Sequence, residues 1–255
     1  MGRQLSDLYG WIDDRLELSG ILSTLGNRSS PHSAPSQIFL RSFVLVFILQ
    51  CLTGICLALY YVPAADHAHT TVSWIQKEVA GGALVRGLHH WSSTVMVVLL
   101  VMHLAQIFLR QTYKTPHELV WIFSASLTLL TLAFAFTGEL LPWDQNAYFT
   151  TQALLGGARP GAITLSRFYM LHTMLLPTLA VFLVVLCFLA SRISRRSTLS
   201  SSWSALLSIV VFAILAMLAI THPAILESTA NPADLQYLPH PDWYFLPLSK
   251  ERNGE

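Results

Sequence analysis

Apolar residues in this chain come in long unbroken runs rather than in alternating or one-sided helical patterns. Five runs, at 38–61, 87–109, 118–140, 167–190 and 203–221, are long enough to cross a hydrocarbon core about 30 Å thick. Polar links with turn and charge signals separate them: Pro63 and Asp66, Lys114 to Glu118, Gly156 to Gly161, and Arg192 to Arg196. Helices apolar on every side face lipid or a core, so the pattern predicts an all-α integral membrane protein. Ahead of the first run, Leu5, Leu8, Ile12, Leu16, Leu18 and Ile21 recur near helical spacing among Asp7, Asp13, Asp14, Arg15 and Glu17. That reads as an amphipathic helix, either lying in the membrane interface or packed on a partner.

Composition agrees. Hydrophobic residues make up 53% and charged residues 11% of the 255, against about 25% charged in soluble domains. A net charge of +1 gives no electrostatic footprint for nucleic acid. Cys51, Cys56 and Cys187 all sit in apolar runs, with neither a disulfide framework nor a C-x-x-C-H haem-attachment motif. The polar, mixed first thirty-five residues do not read as a cleavable signal peptide. Arg3, Arg15, Arg28, Arg41, Arg110, Lys114, Arg192, Arg195 and Arg196 fall on one side of the membrane; Lys77, Arg86, Arg159, Arg167, Lys250 and Arg252 fall on the other. The bias puts the N-terminus on the cytoplasmic side and the C-terminus outside.

Histidines within the runs carry the candidate chemistry. His89 and His103 lie fourteen residues apart on the second run, close to four helical turns and about 21 Å at ~1.5 Å per residue. His172 opens the fourth run, and fifteen residues on stands Cys187. In the orientation above both runs descend from outside to inside, so His89 and His172 share one depth. Two neutral imidazoles at one depth suit the iron of a six-coordinate, electron-transfer haem. A lone histidine in a span is as often a helix-to-helix hydrogen bond. Gly54 and Gly138, toward the outer side of the first and third runs, would let a macrocycle approach the backbone. Fourteen residues inward the corresponding positions are Leu40 and Ser124. Arg86, three residues before His89, is either a donor to a haem propionate or an interfacial anchor.

Six stretches together resemble cytochrome b of the quinol-oxidising bc and bf complexes over almost the whole chain. They are LQCLTG (49–54), RGLHHW (86–91), KTPHELVW (114–121), TGELLPWDQ (137–145), TLSRFYMLHTMLLP (164–177) and PDWYFLP (241–247). The PWDQ form and the fifteen-residue step on the fourth helix resemble the short, bf-like branch. The resemblance implies a four-helix bundle carrying haem b, over residues 37–196. It also implies a fifth helix with a quinol-site segment over 197–255, and an interfacial segment over 1–36. Outer quinol oxidation, an iron–sulfur or cytochrome c partner on the outer face, a second short membrane subunit, the quinone pool, a dimer and an energy-transducing prokaryotic membrane are the further expectations.

Four departures from the family pattern stand out: Cys187 at an expected haem ligand, Leu40 and Ser124 at expected glycines, Asp242 where the family's PEWY segment has glutamate, and a chain ending soon after that segment. The inner level admits three readings: no haem, with His103 a buried hydrogen-bonding residue; a haem ligated by His103 and Cys187; or a five-coordinate haem on His103 or one with a partner's ligand. At the outer side the resemblance assigns proton acceptance from quinol to Asp242, one methylene and so about 1.5 Å shorter in reach than glutamate. Tyr244 is a candidate to hydrogen-bond the quinone, and Asp144 a candidate to pass a proton outward. Glu139 is either a second relay group or an interfacial acid facing water. If the inner haem is missing, the alternative is a membrane anchor relaying electrons between quinone and another dehydrogenase or reductase without a Q-cycle.

Overall fold

The computed structural model describes residues 2–16, 38–111, 113–115, 118–190, 198–234 and 236–248. The Arg192–Arg196 cluster, Arg28, Lys250, Arg252 and the junction near residue 36 lie outside them. Helix α1 (Gly2–Leu16) precedes the first membrane helix, α2 (Ile38–Ala58). Then come a short outer helix, α3 (Ala68–Lys77), and the long α4 (Gly82–Leu109). Next are α5 (Glu118–Glu139), α6 (Gln145–Leu154) and α7 (Ala162–Met170). A π-helical turn (Leu171–Leu175) leads α7 into α8 (Leu176–Ala190), followed by α9 (Thr198–Thr221) and a 3₁₀ turn (Trp243–Leu248). Five stretches are long and apolar enough to span a membrane: Ile38–Ala58, Gly82–Leu109, Glu118–Glu139, Ile163–Ala190 and Ser202–Thr221. The all-α membrane architecture read from the hydrophobic pattern therefore holds, with the second, fourth and fifth helices each extending several residues beyond their apolar runs.

Four of these helices form the bundle. Helix α2 packs on α4, α4 on α5, and α5 on α8, while α9 lies against α2 and α4. Leu40, Phe43, Val46, Phe47, Met96, Leu99, Leu100, Leu127, Ala180 and Cys187 interdigitate as its core. Their outward neighbours, such as Phe182 and Ile209, are exposed because lipid covers them. Gly87 brings α4 against α9; a Cβ there would stand 3.1 Å from the Ala219 carbonyl oxygen. Helix α1 leaves Leu5, Leu8 and Trp11 exposed and anchors through Arg15, which pairs with Glu118 at 3.1 Å. That placement leaves an apolar stripe exposed while tying α1 to the start of α5.

The π turn has a local cause. Pro177 lacks an N–H, and its ring would clash with the carbonyl four residues back, that of Thr173 inside the turn. The ladder shifts to a wider bond, from the Leu176 N–H to the Leu171 carbonyl. The turn thereby takes up one extra residue. Fourteen α-helical residues fall about 40° short of four turns and fifteen pass them by about 60° at ~100° per residue. With one residue absorbed, the fifteen-residue step to Cys187 behaves as a fourteen-residue one. This accounts for the unequal spacings on α4 and on the fourth span.

Candidate haem site and adjoining acidic cluster

Both pairs expected from the sequence are brought together. His89 and His172 face each other at the outer level with ring centres 6.4 Å apart and planes at 66°. One metal held between two imidazoles needs about 2.0–2.1 Å on each side plus roughly 1.1 Å from nitrogen to ring centre, or about 6.3 Å in all. Among the described residues no group of three or more His, Cys, Asp and Glu side chains could hold a metal ion. A metal shared by this pair must bring its equatorial ligands with it, as a haem does.

Residues behind the two rings fix their tautomer. Thr53 gives its hydroxyl proton to the Leu49 or Gln50 carbonyl, at 2.9 and 3.1 Å. Its oxygen is then the acceptor for the His89 Nδ1–H at 2.9 Å. Thr137 repeats the arrangement, donating to the Ala133 or Phe134 carbonyl and accepting from His172 Nδ1 at 3.0 Å. With Nδ1 carrying the proton, the Nε2 of each ring is left unprotonated, able to accept from a donor or to bind a metal. Gln50 donates a longer bond, 3.3 Å, to His89 Nε2, and Ser92 holds its amide oxygen. Neither threonine was singled out from the sequence. The visible signal was the Thr-Gly dipeptide, present once on α2 and once on α5.

The glycine of each dipeptide makes the close approach. A Cβ at Gly54 would stand 3.1 Å from His89 Cε1, and one at Gly138 would stand 2.9 Å from His172 Cε1. Gly138→Ala therefore has to displace the His172 ring, whereas Gly54→Ala asks for a few tenths of an ångström. We expect Gly138→Ala to lower the haem retained per chain several-fold in a haemochrome assay, and Gly54→Ala to lower it less. The donor set, the tautomer and the cradle thus fit a bis-imidazole haem.

Arg86, read from the sequence as a propionate donor or an interfacial anchor, binds the surrounding backbone. Its terminal nitrogens donate to Gln76 and to the Ala224 and Ile225 carbonyls, at 2.6 and 2.7 Å for the latter two, tying α3 and the segment after α9 to the head of α4. At the inner level Ser124 Oγ lies 3.1 Å from His103 Nε2 and 3.9 Å from Cys187 Sγ. His103 Nδ1 has no partner among the described residues.

Beside the outer level, the segment after α9 folds back across α6. The carboxylate of Asp144 caps α6 by accepting from Ala147 N (3.0 Å) and accepts from Glu227 N (3.3 Å). Both oxygens thus hold backbone in place. Gln145 accepts from Asn231 N, and Asn146 clamps residue 240 at both its N–H and its carbonyl. These contacts deliver Asp242 and Tyr244 to the outer end of the bundle. Tyr244 donates to Asp242 Oδ2. Burial, then that bond, pushes the phenol well above its ordinary range, so it stays protonated. Glu139 is half-buried, accepts from Asn146 Nδ2 at 3.3 Å and lies against the Asp242 backbone amide. Phe245 packs edge-on to Phe136, 5.7 Å between ring centres, next to the Thr137 that anchors His172.

Comparisons agree with this geometry. Residues 36–156 match the family described as Cytochrome b/b6/petB. Cytochrome b6 of Prochlorococcus marinus (strain MIT 9211) is 34% identical over 200 residues, covering 71% of this chain and 92% of that protein. Cytochrome b6 of Synechococcus sp. (strain CC9902) is 32% identical over 206 residues, covering 73% and 94%. A chain of the structure titled "Hyperthermophilic respiratory Complex III" superposes with a TM-score of 0.72 at 21% identity, over 93% of this chain and 74% of that one. Five lipid-facing helices, an imidazole pair set for one iron and this extent of similarity lead to one assignment: the chain belongs to the cytochrome b/b6 family, as a haem b membrane electron-transfer subunit of the bc/bf type.

Proposed function

We propose that the chain oxidises membrane quinol at its outer side. The carrying observation is the packing of the Asp242–Tyr244 segment, through Phe245, on Phe136, the chain neighbour of the Thr137 that orients His172. Oxidation of a quinol releases two protons and two electrons, so a base and an electron acceptor must share one pocket. A haem b held by His89 and His172 would accept one of the two electrons; the other would pass to the iron–sulfur or cytochrome c partner on the outer face, and the second proton would leave to water at that face. Asp242 takes the proton from the quinol hydroxyl, with Tyr244 holding the carboxylate in place. Glu139, between Asn146 and the Asp242 amide, is the next proton station, and Asp144 and Asn146 set the position of the segment. His240, paired with Glu227 at 2.8 Å, offers an exposed titratable group just outside.

The partners of this reading are an iron–sulfur or cytochrome c protein on the outer face, a second short membrane subunit, the quinone pool and a second copy of the chain. The N-terminus lies on the cytoplasmic side of a prokaryotic or equivalent energy-transducing membrane. One observation favours the second reading, an anchor relaying electrons between quinone and a different dehydrogenase or reductase without a Q-cycle: the buried inner level of Leu40, His103, Ser124 and Cys187.

Rapid mixing of a short-chain quinol with the oxidised, solubilised protein should reduce the haem α-band; no reduction would sink the proposal. Tyr244→Phe should slow that reduction about 10-fold or more, the weight of one hydrogen bond to a charged group (about 1.5–3 kcal/mol). Because Tyr244 stays protonated well above pH 10, the shape of the pH profile from 6 to 9 should not change.

A further inference from the structure

We infer that the inner level of this chain holds no haem and is instead a sealed packing layer closed by His103, Ser124 and Cys187. The inference does not depend on the quinol reading, which concerns the outer level alone. The outer level is the internal reference. Moving fourteen residues inward along α2 takes Thr53–Gly54 to Phe39–Leu40; the same step on α5 takes Thr137–Gly138 to Phe123–Ser124. Each feature that fits the outer level to a macrocycle is replaced. Both tautomer-setting threonines become phenylalanines that pack on the core, both cradle glycines gain side chains, and one of the two imidazoles becomes a thiol.

Burial follows suit. The outer quartet of His89, His172, Gly54 and Gly138 is partly accessible throughout. At the inner level His103 is 3% exposed, and Leu40, Ser124 and Cys187 are 0% exposed. Leu40, where the outer level has a glycine, belongs to the same fully buried cluster as Phe43, Leu100 and Cys187. The inner imidazole is also held in the wrong sense. At the outer level Nδ1 of each ring is anchored by a threonine; here Nε2 is the nitrogen taken by Ser124, and Nδ1 has no anchor among the described residues. A ligating histidine is normally oriented by a bond from its other nitrogen. The Ser124 hydroxyl contacts both His103 and Cys187, so a metal shared by that pair would have to displace it. A five-coordinate haem on His103 meets the same hydroxyl and the same leucine. Among the described residues the inner level accordingly offers no second haem site to carry an electron toward the inner side.

Haem b counted per chain by pyridine haemochrome, on the purified complex, tests this. Wild type should give one, and Cys187→Ala and His103→Gln should each still give one. Restoring the outer pattern with Leu40→Gly, Ser124→Gly and Cys187→His together should raise the count to about two. Two haems in wild type, or loss of one haem in Cys187→Ala or His103→Gln, would overturn the inference. The wild-type and Cys187→Ala counts decide it even if the triple variant does not fold. The quinol reading fails separately, if the single haem is present but quinol does not reduce it.

Discussion

Replacing His172 by alanine is expected to remove the haem b absorption from the purified protein, with haem per chain falling at least about tenfold, and His89→Ala to do the same. Each ring is one of the two ligands proposed for the outer level, and ring centres 6.4 Å apart suit one metal between them. On that proposal, losing either side would remove a metal bond and its pairing across the bundle, and among the described residues no metal-binding group of His, Cys, Asp and Glu stands in for it. A graded series supports the cause. Thr137→Val keeps His172 but frees its Nδ1, and loss of such an orienting bond commonly costs about 10–100-fold in metal affinity. Haem content should therefore fall in the order wild type, Thr137→Val, His172→Ala. A His172→Ala protein with full haem would place the site elsewhere.

Asp242→Asn should lower quinol-driven haem reduction by about 10²–10⁴-fold, the usual weight of a positioned general base, and leave haem content unchanged. Asparagine keeps an oxygen able to accept from Tyr244, so the 3₁₀ turn is preserved while the proton acceptor is lost. Stopped-flow reduction by a short-chain quinol reads the rate, and the haemochrome assay controls for folding. Asp242→Glu should fall between the two. The carboxylate is retained, but the extra methylene moves it by about 1.5 Å from a position that Tyr244 and the Asn146 clamp have set for aspartate. Wild-type rates in Asp242→Asn would transfer the role to Glu139 or another group.

The parts of this structure legible in the sequence are those that lipid or metal constrains by length. A span must be apolar for about twenty residues, so the five membrane helices show in the hydropathy. Axial ligands must recur on one helix face, so the two histidine levels show in the spacing. Other features depend on distant partners. Arg86 was open between two roles because the carbonyls it binds, at Ala224 and Ile225, lie some 138 residues away. Asp144 was read as a candidate proton carrier; its capping bond to Ala147 is local, but its contact with Glu227 belongs to a tail 83 residues on. Helices α3 and α6 show little hydrophobic period, as short surface helices do, and α7 extends the fourth apolar run at its N-terminal end. The π turn was foreshadowed by Pro177 and by the odd fifteen-residue step, yet neither says whether the ladder widens or kinks. The threonine anchors were present as a repeated dipeptide whose meaning emerged only once the rings stood beside it.

Electron paramagnetic resonance of the fully oxidised protein, with spins counted per chain, tests the central claim most directly. A single haem between His89 and His172, with imidazole planes at 66°, should give one low-spin, strongly anisotropic signal integrating to one spin per chain. A second low-spin signal, a thiolate-type signal, or a high-spin haem on one imidazole would contradict the account.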